Sequence, residues 1–164
     1  MDALGPGDVV ADRYDLIRAL GGGEAGRVYV ALDRRLGREV ALRFVGLDDS
    51  AGAETLLEEA RRMSAVRANS AVGLTVLDAG ELPGGGAFAA TELVGGVALE
   101  EVARHRAPLP VAQATGYAVE LLDACITARR HVAGAGDTVV GSAMIADDGA
   151  LRVTRFSRAR RPGP

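Results

Sequence analysis

Residues 20–31 read LGGGEAGRVYVA, with glycines at Gly21, Gly23 and Gly26 and a valine at Val28. Glycines at that spacing let a backbone approach another group closely, often a phosphate. What flanks them decides the kind of loop. Arg13 to Leu20 reads as a strand, and Arg27-Val28-Tyr29-Val30-Ala31-Leu32 alternates as a second one. A dinucleotide-binding glycine run leads instead into a helix whose N-terminus takes the pyrophosphate. A glycine loop between two strands argues against that fold.

A polar turn from Asp33 to Arg38 precedes a third alternating run, Glu39 to Val45. A helix over Ala53–Val66 follows, with Leu56, Met63 and Val66 on its apolar stripe. Glu59 falls on the same stripe, so it either needs a buried cationic partner or reaches solvent at the stripe's edge. Two further strands are expected, at Gly73–Leu77 and Ala87–Leu93, joined by a turn at Pro83-Gly84-Gly85-Gly86. Gly95-Gly96 marks a boundary between two lobes. Beyond it come a short helix at Ala98–Arg106 and a long one over Pro110–His131, with Ala114, Ala118, Leu121, Leu122 and Cys125 as its apolar face. Cys125 reads as core packing, and His131 sits near a helix end where a cation is favoured. Ser142 to Val153 reads as a hairpin with an Asp-Gly turn, followed by an arginine-rich end, RFSRARRPGP.

Composition excludes several classes. With 164 residues and 48% hydrophobic content the chain supports one packed domain. A net charge of −3 is too small to point to nucleic acid. No apolar run reaches the ~18 residues of a membrane-spanning helix, and the first residues lack a basic-then-apolar leader. A cytoplasmic protein without membrane insertion is therefore expected. The single cysteine excludes an internal disulfide, and with two distant histidines it makes no metal cluster. All 19 basic residues are arginines; lysine is absent.

Taken in order, these segments resemble the bacterial eukaryotic-like (Hanks-type) Ser/Thr protein kinases from about Asp8 to Arg160. Gly21-Gly22-Gly23-Glu24-Ala25-Gly26-Arg27-Val28 matches the family's G-x-G-x-x-G-x-V in full. Val40-Ala41-Leu42-Arg43 stands where V-A-I-K belongs, Glu59-Ala60-Arg61 matches the helix-C glutamate region, and Thr91-Glu92-Leu93-Val94 resembles the gatekeeper and hinge. The resemblance implies an α+β, protein-kinase-like fold. It consists of a five-stranded antiparallel N-lobe sheet with helix C at 8–94, a truncated, mainly helical C-lobe with a β-hairpin at 95–160, and a tail at 161–164.

The catalytic motifs depart from the family. Anchored on Asp147-Asp148-Gly149, H-R-D-x-K-P-x-N aligns with Ala135-Gly136-Asp137-Thr138-Val139-Val140-Gly141-Ser142, and D-F-G aligns with Arg155-Phe156-Ser157. Arg43 replaces the lysine, Ser142 an asparagine metal ligand, and Arg155 the aspartate that holds both metals. Asp137 alone remains as an acid, readable as a proton acceptor or as a solvated loop residue. The resemblance therefore implies a pseudokinase with no catalytic residues and no metal site, acting as an interaction module for a regulatory protein or a second copy of itself. No cofactor is required. ATP without Mg²⁺ is the one expected ligand, with Gly21, Gly23 and Gly26 near its phosphates and Val28 and Ala41 around its adenine. The backbone of Glu92 and Val94 would read the base edge, and Arg43 and Arg155 would neutralise charge. Arg43 is also expected to pair with Glu59, which would instead fill the cleft. Two alternatives stay open: a kinase-like enzyme with residual phosphotransfer, and a piece of a longer gene product.

Overall fold

The computed structural model describes residues 4–23, 26–46, 49–106, 108–131 and 138–158, with backbone alone at 21–23, 26–27, 106, 131, 138–141 and 157–158. They divide into two compact units, Met1–Ala60 with Val76–Leu93, and Arg61–Thr75 with Val94–Pro164.

The first unit is built on an antiparallel sheet of β1 (Val9–Val10), β2 (Tyr14–Gly23), β3 (Gly26–Asp33), β4 (Arg38–Val45), β5 (Val76–Glu81) and β6 (Ala87–Glu92), in the order β1-β2-β3-β4-β6-β5. Five of these correspond to the expected strands. The sixth, β1, is only two residues long and turns back through Ala11 and Asp12, both at φ 53°. The Arg13 amide closes that turn by donating to the Val10 carbonyl at 3.1 Å. Two left-handed residues without a glycine give no sequence signal, so this strand was not foreseen.

Strand alternation gives the sheet two faces. Tyr14, Leu16, Tyr29, Ala31, Val40, Leu42, Phe88 and Ala90 pack together on one. On the other, Ala87 and Ala89 lie against Ala53, Leu56 and Ala60 of α1 (Ser50–Asn69). Small side chains on the sheet let the helix backbone come close. The helix starts three residues before Ala53 because Asp49 caps it: the Gly52 amide donates to Asp49 Oδ1 at 2.8 Å. A Cβ on Gly52 would meet the same carboxylate at 2.2 Å. Leu56, Met63 and Val66 are all buried, as their spacing requires.

One end of the sheet is tied by a charged cluster. Arg13 donates to Asp33 through Nε at 2.8 Å and Nη2 at 2.6 Å, and to Asp78 through Nη1 at 2.8 Å. The Tyr14 hydroxyl also donates to Asp78, at 2.8 Å. Asp33 is buried and accepts from the Arg35 amide at 3.0 Å as well. The start of β2, the β3–β4 turn and the edge strand β5 thus share one guanidinium.

The second unit holds β7 (Gly96–Ala98), α2 (Leu99–Arg106), α3 (Val111–His131), β8 (Thr138–Ala146) and β9 (Leu151–Arg158), with sheet order β7-β8-β9. It is mainly helical with a hairpin, as expected, but β7 joins the hairpin and the hairpin runs well beyond Ser142–Val153. Between Ala146 and Leu151 the chain turns through Gly149 at φ 82°. The expected strand at Gly73–Leu77 is displaced to Val76–Glu81. Gly73 makes only a parallel bridge to Val153, and the Val153 amide donates to the Val72 carbonyl at 2.8 Å. A Cβ at Gly73 would lie 2.9 Å from the Arg67 amide nitrogen, so this stretch is held against the helix end and pairs as β5 only later.

Gly96 is required by a close backbone crossing, whereas at Gly95 the near group is a side-chain carboxylate. A Cβ on Gly95 would stand 2.2 Å from the Asp147 carboxylate, and one on Gly96 (φ 152°) 2.2 Å from the Ile145 carbonyl. The long helix α3 also packs differently from its sequence reading. Ala124 and Ala128 are buried and Tyr117, Leu121 and Cys125 half-buried, whereas Ala114, Ala118 and Leu122 are exposed. Apolar residues ring much of this helix, and its contacts with β8 and β9 select a side that periodicity left ambiguous.

The cluster predicts an acid dependence. Arg13 holds the Asp33 carboxyl below the ordinary carboxylate value of 3.8, at about 2. A depressed folded-state pKa stabilises the fold above the unfolded value, and that contribution disappears as pH falls through the folded one. The melting temperature of the wild type should exceed that of Asp33→Asn at pH 5 and above, with the gap closing between about pH 4 and pH 2. Thermal unfolding across that range checks it.

Candidate functional site

The centre of the candidate site is a row of paired strand positions in the first unit. Val28 on β3 pairs with Arg43 on β4, which pairs with Ala89 on β6; in the next row Val30, Ala41 and Thr91 are neighbours. Residues directly opposite in an antiparallel ladder share a face. Val28, Ala41, Arg43 and Thr91 therefore lie on the face that carries α1. The Thr91 hydroxyl donates weakly to the Ala41 carbonyl, at 3.5 Å.

Arg43 Nη2 donates to Glu59 Oε2, joining β4 to α1. The Arg43 side chain is 17% exposed and that of Glu59 10%, so the pair is largely withdrawn from water. Among the described residues, Nε and Nη1 of Arg43 donate to no other group.

The glycine run lies at the tip of a hairpin. Gly21 pairs with Val28, Gly22 with Arg27 and Gly23 with Gly26, so the ladder continues to the turn. Glu24 and Ala25 of that turn lie outside the described residues. Leu20, half-exposed beside Gly21 at a bulge in β2, was not singled out from the sequence. Its signal was an apolar residue directly before the glycines. Glu92 closes β6 opposite Val40, and Val94 opens the second unit.

In the second unit the catalytic-motif positions sit inside a strand ladder. Ser142 on β8 pairs with Arg155 on β9, Val140 with Phe156 and Val139 with Ser157. Phe156 is fully buried and Ser142 exposed. Asp137 lies outside the described residues. A hydroxyl and a guanidinium are a poor donor set for Mg²⁺, which prefers carboxylate oxygens in octahedral geometry. Among the described residues no three acidic, histidine or cysteine side chains gather as a metal site, and no helix is long and apolar enough to cross a membrane.

No family model matches the chain. Individual proteins do. It is 28% identical over 159 residues to the serine/threonine-protein kinase PknK of Mycobacterium tuberculosis, covering 96% of this chain and 14% of that protein. Over 157 residues it is 32% identical to the DNA damage-responsive serine/threonine-protein kinase RqkA of Deinococcus radiodurans, covering 93% of this chain and 23% of that protein. The chain is thus similar in sequence to bacterial serine/threonine-protein kinases. It spans less than a quarter of the length of either relative. The fold agrees: the crystal structure of the Mycobacterium tuberculosis PknI kinase domain superposes with a TM-score of 0.70 at 22% identity, over 98% of this chain and 66% of that one. The chain is thus protein-kinase-like in fold across nearly its whole length. Its ion pair joins strand and helix at the positions that the kinase motifs assign to the lysine and the helix-C glutamate.

Removing one member of a largely buried pair strands the other charge. Glu59→Ala should lower unfolding stability by about 3 kcal/mol, whereas the double variant Arg43→Met with Glu59→Met should lose less than the single one. Denaturant titration of both variants tests this.

Proposed function

We propose that this chain is a pseudokinase domain, a protein-kinase-like module that acts by binding a regulatory protein and not by phosphoryl transfer. The observation carrying this reading is Arg155. It stands at the position of the metal-holding aspartate, inside β9 and across from Ser142. Phosphoryl transfer depends on positioning and on neutralising the triphosphate, chiefly with a lysine and metal ions. A cation at the metal position opposes Mg²⁺. Arg43 is no substitute for a compact ammonium, and the chain contains no lysine that could take its place. Metal stabilisation contributes several kcal/mol, and about 1.4 kcal/mol is tenfold in rate. Loss of both groups removes most of the expected rate.

Nucleotide binding, in this reading, is weak and independent of metal. Within the first unit, Val28 and Ala41 border the base, the backbone at Glu92 reads its edge, the glycine hairpin carries the phosphates, and Arg43 supplies positive charge in place of Mg²⁺.

The competing reading is residual phosphotransfer, favoured by the kinase names of the relatives. Purified protein incubated with γ-labelled ATP and Mg²⁺ or Mn²⁺ should transfer no label to itself or to a generic protein substrate. Transfer that Asp137→Asn abolishes would overturn the proposal. In a thermal-shift titration any stabilisation by ATP should be the same with EDTA as with Mg²⁺; a strict Mg²⁺ requirement would refute metal-independent binding.

A further inference from the structure

We draw no further inference here: the strongest candidate, the exposed apolar stripe of Val119, Leu122 and Ile126 on α3, is flanked by the exposed Asp123, Arg129 and Arg130 alike, and nothing in the structure shows what covers it.

Discussion

A guanidinium and a carboxylate withdrawn from water between α1 and β4 set the geometry of the first unit. Charges removed from bulk solvent tolerate little displacement, and among the described residues neither has a second ion-pair partner. The pair therefore fixes both the rotation and the axial position of α1 on the sheet. The alanines at 87 and 89 then allow close approach, and Leu56 fills the remaining space. An arginine also differs from a lysine in what it leaves over. Among the described residues, Nε and Nη1 of Arg43 donate to no other group once Nη2 has engaged Glu59.

The far end of the sheet is organised on the same principle with another arginine. Arg13 is shared by two carboxylates brought together from opposite ends of the unit's sequence, and the Tyr14 hydroxyl completes the set. The Tyr14 phenol is pushed above its usual value by burial and by its bond to Asp78, so it remains a donor at any physiological pH. On the face of the sheet away from α1 lies an apolar core that includes the tilted pair Tyr14–Phe88 and the stacked pair Tyr29–Phe44, with ring centroids 5.6 and 5.7 Å apart. The charged groups define register, while the aromatics supply buried area.

Where local pattern and burial coincide, the sequence was readable. Strands β3 and β4 alternate clearly, and Glu59 fell on an apolar helical stripe, which left a cationic partner or escape to solvent as its two outcomes. Reading failed where the deciding contact is remote. Nothing near Gly73 announces that Val153 will hold it away from the sheet. Nothing near Gly95 announces the Asp147 carboxylate lying where its side chain would be. The joint role of Arg13, Asp33 and Asp78 depends on residues 64 or 65 positions apart for its longest links. On α3 the difficulty was an excess of signal: apolar residues on several sides left the packed one to be chosen by neighbouring strands.

The ladder between β8 and β9 couples neighbouring positions of opposite character. In this hairpin residue 155 is a strand residue with a fixed cross-strand partner, Ser142, and Phe156 beside it is sealed in the core. A substitution at 155 is therefore felt by Ser142 across the ladder, whereas one at 156 is felt by the core, so the two adjacent positions answer to different constraints.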